Sequence, residues 1–270
     1  MPTIRLSKNV SVITGSPNTL VYDSIAVIDQ GGKNSSLDIK AEIQLATHGH
    51  SDHIAGLLKK DAKIKYLPPE DYWSLTLMGR RVMIYGCSSK DSEIFTYDYV
   101  KQNLELMDTN IRISEIEIVK LPGHTPGHSG YIIENILYAG DAFFGDKVLQ
   151  NFSVPFYTDF WAALDSLEII KELAKSVDNI AISHGPIYSK DKMLRLLEYN
   201  IDYFEKLVNK VSNLLTEEHT VEEIVVMLKP DISPTNLLLN SITIRSLLLG
   251  MNNLEYKVTP KGLSLKRKWY

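Results

Sequence analysis

The sequence predicts an α+β chain, and three observations carry that prediction. Short apolar runs of strand character recur along most of the first 192 of its 270 residues. Several of these runs end on a histidine or an aspartate. Beyond residue 192 the apolar positions fall at helical spacing, and the chain closes on a hairpin pattern.

Taken in order, Val10 to Gln30 is strand-rich. Ile43 to Ala46 then precedes His48, Ile116 to Leu121 precedes His124, Ile136 to Ala139 precedes Asp141, and Ile180 to Ile182 precedes His184. Such residues at the carboxyl ends of strands lie where open sheets place their binding crevices. Ile54 to Lys60 is expected to form a short helix with its amino end near these side chains. Residues 67 to 104 mix Tyr72, Trp73, Tyr85, Phe95, Tyr97 and Tyr99 with a loop at Gly86 to Asp91. They are read as scaffold, with a lid as the competing reading, since long aromatic-rich loops are often functional. Asp159 to Ala174 carries Trp161, Leu164, Leu167, Ile170 and Leu173 at helical spacing and predicts a helix covering a sheet. Met193 to Leu215 is long and amphipathic, Thr220 with Glu223 forms a capping box for a helix ending before Pro230, and Ser241 to Leu254 reads as a third helix. Tyr256 to Tyr270 reads as a hairpin turning at Thr259-Pro-Lys-Gly262. The domain division is therefore 1–192 for the strand-rich part that holds these histidines and aspartates and 193–270 for a helical extension.

Residues 47 to 53, Thr-His-Gly-His-Ser-Asp-His, carry the chemistry. Imidazole nitrogens and carboxylate oxygens are donors that zinc and similar divalent ions accept, and His48, His50, Asp52 and His53 are more donors than one ion needs. Gly49 permits a tight turn, so that His48 and His50 point one way while Asp52 and His53 diverge. The spacing suits two neighbouring ions. Six of the seven histidines lie in segments that can meet: His48, His50, His53, then His124 and His128 in Pro-Gly-His-Thr-Pro-Gly-His, then His184 in Ile-Ser-His-Gly-Pro. Pro126 and Gly127 keep His124 and His128 from sharing one face of a regular helix. His219, among Glu217, Glu218 and Thr220, reads as a surface residue.

His48-x-His50-x-Asp52-His53, followed by Gly123-His124, Gly140-Asp141 and Ser183-His184-Gly185, resembles the metal-binding motifs of the metallo-β-lactamase-fold hydrolase superfamily, in order. The resemblance spans about residues 8 to 190. It implies a four-layer αββα sandwich of two mixed sheets flanked by helices. It also implies a ligand set: His48, His50 and His124 on one metal, Asp52, His53 and His184 on the other, and Asp141 bridging both. His128 would orient its loop by hydrogen bonds. The implied cofactor is two zinc ions, and iron or manganese would accept the same donors. The chemistry implied is hydrolysis by a hydroxide shared between the metals, with Asp52 orienting it and shuttling a proton to the leaving group.

Glyoxalase II-like and lactonase-like members share the Gly-His-Thr-Pro-Gly-His run, so the expected substrate is a small ester, thioester or lactone. Glyoxalase II enzymes usually follow the last ligand with Glu-Tyr-Thr, whereas this chain has Gly185-Pro186-Ile187-Tyr188. The three helices and hairpin of the tail are similar to the winged-helix tail of β-lactamase-like endoribonucleases, which makes cleavage of single-stranded RNA the alternative. Lys257, Lys261, Lys266, Arg267 and Lys268 make that tail locally basic, although the net charge is −4. A single-iron persulfide dioxygenase and a non-catalytic binding protein rank lower, because neither needs the full donor set. Phe143, Phe144, Phe152, Phe156, Tyr157 and Phe160 follow Asp141 closely, and a loop from Asn151 to Asp159 could present some of them to the metals. The single cysteine, Cys87, argues against a disulfide framework. No signal peptide and no run of membrane-spanning length is read, so the expectation is a cytoplasmic protein with no membrane partner, with a homodimer as an option.

Overall fold

The computed structural model describes residues 2–59, 61–105 and 115–268. Strands β1 (Thr3–Arg5), β2 (Val10–Ile13), β3 (Thr19–Tyr22), β4 (Ala26–Ile28), β5 (Ile43–Leu45) and β6 (Ile64–Tyr66) lie side by side in that order. The first four form an antiparallel meander, and β5 and β6 continue it in parallel. Three 3-10 helices, Gly32–Ser36, Ile54–Leu58 and Pro69–Leu75, precede helix α1 (Leu77–Tyr85). The second sheet holds β7 (Glu117–Lys120), β8 (Ser129–Ile133), β9 (Ile136–Tyr138) and β10 (Asn179–Ala181) in the order β10-β9-β8-β7. Helices α2 (Asp146–Phe152) and α3 (Phe160–Leu173) separate its last two strands. After them come α4 (Lys190–Leu214), β11 (His219–Thr220), α5 (Val221–Leu228), α6 (Pro234–Leu249), β12 (Leu254–Thr259) and β13 (Gly262–Arg267).

Side-chain pattern explains the layering. In β2 the buried Val10 and Val12 alternate with less buried neighbours, as on a half-covered sheet, whereas β4, β5 and β9 are buried throughout, as strands covered on both faces are. Between the sheets Val12, Leu20, Ile28 and Leu45 meet Tyr131, Ile133, Tyr138 and Ala181. On the far side of the second sheet Leu137 and Ile180 pack in one cluster with Leu167, Ile170, Met193 and Phe204 of α3 and α4. Ala46, Ile54, Leu57, Leu67, Val100 and Leu104 cover the first sheet. This is the four-layer αββα sandwich that the resemblance implies. The expected helix from Ile54 to Lys60 is a single five-residue 3-10 turn, and Lys60 lies outside the described residues.

Local caps set most helix ends. Asp159 accepts hydrogen bonds from the Trp161 and Ala162 amides at the start of α3, and the capping box of Thr220 and Glu223 opens α5. The third helix of the tail begins at Pro234, not Ser241. Ser233 caps it and Pro234 fills its first turn, where a missing amide hydrogen costs nothing. It also ends at Leu249, because Leu254 opens the hairpin. Residues 269–270 of the expected hairpin lie outside the described residues. His219 sits in β11, paired with Leu265 of β13, and is half-buried. The apolar cluster under α3 continues without a break into Ile224, Ile244, Leu248 and Leu265 of the extension. Among the described residues no helix is long and apolar enough to cross a membrane.

Candidate metal centre

The ends of four strands meet at one edge of the sandwich. The loop after β5 carries His48, His50, Asp52 and His53, the loop after β7 carries His124, and Asp141 and His184 follow β9 and β10. β7, β9 and β10 run in the same direction, so their carboxyl ends open on the same side. Two of these turns demand glycine. Gly123, at φ 129°, and Gly140, at φ 58°, each precede a histidine or aspartate of the cluster. A Cβ on Gly123 would strike the backbone of Ala163, and one on Gly140 would strike His128 and Thr47.

All seven sequence-expected ligand residues converge here. His124 Nε2 lies 2.9 Å from His50 Nδ1. His53 Nε2 lies 3.2 Å from His184 Nε2 and 3.6 Å from Asp52 Oδ2, and His184 Nε2 lies 3.3 Å from Asp52 Oδ2. Asp141 Oδ2 stands between the two sets, 3.4 Å from His124 Nε2, 3.4 Å from His184 Nε2 and 3.6 Å from His53 Nε2. Three donor groups emerge: His48, His50 and His124; His48, His53 and Asp141; and Asp52, His53 and His184, each with its donor atoms within 4.8 Å of one another.

The partners of the outward ring nitrogens fix which nitrogen faces the centre. Asp29 accepts hydrogen bonds from the Thr47 amide and from Thr47 Oγ1, both at 2.8 Å. With its proton committed to Asp29, the Thr47 hydroxyl accepts from His48 Nδ1 at 2.9 Å. His48 Nε2 is then a bare lone pair, buried and without a hydrogen-bond partner. His124 Nδ1 donates to the Phe156 carbonyl at 2.8 Å, so its Nε2 is also bare. His53 Nδ1 approaches Asp29 Oδ2 at 2.9 Å, and His184 Nδ1 approaches Ser16 Oγ at 2.8 Å. Inward nitrogens backed by an outward polar partner, as in His48, His124 and His184 by hydrogen bonds and in His53 by the Asp29 carboxylate, are the arrangement of metal-binding imidazoles. Bare nitrogens crowded this closely repel one another unless a cation sits among them. Zinc–nitrogen bonds of about 2.0–2.1 Å in a tetrahedron put donors about 3.3–3.4 Å apart, close to the separations found. Asp141 Oδ1 is likewise buried without a partner. The donor set fits metal.

Electrostatics agree. Burial holds the His48 imidazole well below its ordinary range and pushes His50 down to about 4 and His124 down to about 3, so all three offer lone pairs at neutral pH. Burial would also lower His53 and His184. The carboxylates beside them, Asp29, Asp52 and Asp141 for His53 and Asp141 and Asp52 for His184, outweigh it and raise both. Burial would raise Asp52 and Asp141, but the neighbouring imidazoles hold both carboxyls below the usual range and therefore ionised.

His128 is not part of the donor set. Its Nδ1 donates to the Leu121 carbonyl at 2.9 Å, and its Nε2 accepts from the Asp141 amide at 2.9 Å, which ties the His124 loop to the Asp141 turn. Asp29 and Asp71 are the supporting residues that sequence reasoning missed. Asp71, on the Pro69–Leu75 turn, accepts from the Gly49 amide at 2.8 Å, from Thr125 Oγ1 at 2.6 Å and from the Gly127 amide at 2.7 Å. It clamps the loop of His48 and His50 to the loop of His124. Asp29 follows the apolar Ala26–Ile28 strand as Asp141 follows Ile136–Tyr138, so a recurring signal was present; for Asp71 the sequence offers none.

Above the cluster opens a cavity of about 630 Å³. Ile84, Tyr97, Tyr99 and Val100 give residues 67 to 104 one wall of it, so this segment is both scaffold and rim. Of the expected aromatics, Phe144, Phe152 and Phe156 line the cavity, while Phe143, Tyr157 and Phe160 are core. Cys87 is exposed and free.

A four-layer sandwich with histidines and aspartates gathered at its strand ends is the architecture of a metal-dependent enzyme scaffold. The family model of the Metallo-beta-lactamase superfamily matches residues 45–184, and the chain belongs to that superfamily. Its sequence is 26% identical to a hydroxyacylglutathione hydrolase of Shewanella baltica over 139 residues, 49% of this chain and 46% of that protein. The chain thus spans about half the length of the curated relative it matches. In fold it is similar to a metallo-beta-lactamase family protein from Thermus thermophilus, with a TM-score of 0.68 at 17% identity over 99% of this chain and 97% of that one. A beta-lactamase domain protein from Burkholderia ambifaria superposes with a TM-score of 0.63 at 15% identity, over 98% and 93% of the two chains.

Proposed function

We propose that the protein is a metal-dependent hydrolase acting on a small carboxylic ester, thioester or lactone. The observation that carries the reading is the crowding of the His48–His50–His124 and Asp52–His53–His184 groups in the lining of an open cavity, with Asp141 Oδ2 3.4 Å from both His124 Nε2 and His184 Nε2. His48 Nε2, His50 Nδ1 and His124 Nε2 would hold one divalent ion, and Asp52, His53 Nε2 and His184 Nε2 a second, with Asp141 shared; zinc suits these donors. Ions bound there would supply Lewis acidity toward a carbonyl oxygen and a water of lowered pKa.

The chain's own groups do the rest. Asp52 is ionised, lines the cavity and retains 24% side-chain exposure, so its carboxylate can accept a proton from an attacking water and return it to the leaving group. Phe144 and Phe156 stand against the histidines, with Phe156 5.2 Å from the His50 ring and Phe144 5.8 Å from the His124 ring, and they keep bulk water from that side. Lys33 is the one lysine or arginine lining the cavity among the described residues. That supports an uncharged reacting group over a polyanion, since nucleic-acid strands are tracked by grooves with many cations.

The tail adds no support for RNA. Lys257 pairs with Glu218, Lys261 with Glu223 and Arg245 with Glu222, so much of its positive charge is offset locally. The deciding experiment loads the purified protein with zinc, counts metal per chain, and assays a simple thioester, a lactone and a single-stranded oligonucleotide. Two ions with ester, thioester or lactone turnover is the expected result. Oligonucleotide cleavage alone would replace this reading with the ribonuclease one.

A further inference from the structure

The cavity wall farthest along the sequence from the metal motifs comes from the extension. Asn236, Leu239 and Asn240 of α6 line it together with Val148 and Phe152 of α2 and Val154 of the following loop, and Asn240 lies beside the Phe152 carbonyl. The third helix of the tail is therefore turned inward. Thr243 Oγ1 accepts from the Tyr157 amide at 2.8 Å, Ser246 Oγ accepts from the Phe160 amide at 2.9 Å, and Trp161 Nε1 donates to the Leu247 carbonyl at 3.1 Å. These bonds hold α6 against the strand-end loops as part of the body. From the other rim, Tyr97 Oη donates to Asn236 Oδ1 at 2.8 Å, so the 67–104 segment and the extension join across the mouth. Leu239 also packs with Ile84, Tyr85 and Phe95. Phe144 and Phe156, beside the histidines, thus share one cavity lining with Val148, Phe152 and, on α6, Leu239.

We propose that this wall is an acyl-chain pocket, and that α6 through Leu239 sets which substrates the site accepts: esters or thioesters of a medium-length saturated acid. The proposal rests on the hydrolase reading of the metal centre and names its substrate class. A carbonyl placed at the cluster directs its acyl chain along Phe144, Phe156, Val148, Phe152 and Leu239. There each methylene leaves water for apolar contact, and a cavity of this volume holds a ligand of that size. A short acyl group leaves the wall uncovered and gains nothing from it. Leu239 and the α6 residues lie outside residues 45–184, the stretch that the superfamily model matches, so chain-length preference would be set apart from the metal-binding motifs.

The test uses the full-length, zinc-loaded protein with p-nitrophenyl acetate, butyrate, hexanoate, octanoate and decanoate, together with calorimetric binding of the matching straight-chain alkanols to the metal-free protein. Burial of each added methylene predicts kcat/KM rising roughly two- to fourfold per methylene until the pocket is full, with the same trend in alkanol affinity. Leu239→Trp should shift the optimum to shorter chains in both series. Leu239→Asp should abolish the preference for long chains. Hydrolysis that is indifferent to chain length, with alkanols that bind no better as they lengthen, overturns the pocket. If no ester is hydrolysed but alkanol affinity still climbs and responds to Leu239→Trp, the pocket stands and the hydrolase reading falls.

Discussion

The Nδ1 of His53 lies 2.9 Å from Oδ2 of Asp29, a buried carboxylate that also accepts two hydrogen bonds from Thr47 and one from Ser183 Oγ at 3.2 Å. One side chain outside the metal motifs therefore orients His53 directly and His48 through Thr47.

Asp29→Asn should consequently weaken metal binding without touching a ligand. Loss of such a supporting carboxylate typically costs about 10–100-fold in affinity. Competition against a chromophoric zinc chelator would measure it, and an unchanged affinity would refute the orienting role.

Removing a ligand should act differently. Asp141→Ala and His50→Ala are expected to abolish turnover while the far-ultraviolet circular dichroism stays native. The Asp141 variant should also lose metal from both sites, because its Oδ2 is within 3.6 Å of nitrogens in both donor groups. Normal turnover by Asp141→Ala would contradict a shared ligand.

The metal-free protein should lose stability in acid. Burial pushes His50, His124 and His128 down to about 4, 3 and 4, and lowers His48 well below its ordinary value near 6.5. Below about pH 6.5 the unfolded chain takes up protons on these four that the folded chain refuses, so stability declines as pH falls toward 3. The depressed Asp52 and Asp141 carboxyls act in the same direction at lower pH. His53 and His184, whose folded values are raised, act oppositely: what they contribute is present in acid and lost as pH climbs through those values. Four lowered imidazoles outnumber two raised ones. Urea midpoints measured between pH 7 and pH 4 should fall, and zinc should flatten the fall by occupying the lone pairs.

Asp71→Ala strands the Gly49 and Gly127 amides and the Thr125 hydroxyl, all buried. Each orphaned group costs about 1–3 kcal/mol, so a destabilisation of several kcal/mol is expected. Chemical unfolding would show it, and Asp71→Asn, which keeps an acceptor, should recover part of the loss.

Thr243→Val keeps the shape of α6 but leaves the buried Tyr157 amide unpaired. A loss of about 1–3 kcal/mol is expected from that group alone. An effect under a few tenths of a kcal/mol would mean that α6 is not held to the loops by this bond.

How far sequence reading reached follows from the range of the forces involved. The seven donors were legible because each sits beside its own strand or turn signal, and because clustered imidazoles and carboxylates repel or desolvate unless a cation compensates them. The starts of α3 and α5 were legible for the same local reason: Asp159 and Thr220 bond amides two or three residues away. The start of α6 lies seven residues before the Ser241 that apolar spacing suggests, because the Ser233 cap and Pro234 fix it independently of that spacing. By itself, then, the sequence determined which histidines and aspartates stand at the strand ends and, through its family resemblance, the layers that carry them. Only the tertiary structure decided that Asp29 and Asp71 brace the ligand loops, that residues 67 to 104 form a rim, and that the last third of the chain turns α6 into the cavity wall. Those facts rest on hydrogen bonds and apolar contacts between residues tens of positions apart. No local pattern encodes such contacts, because each partner, read alone, is an ordinary aspartate, tyrosine or leucine.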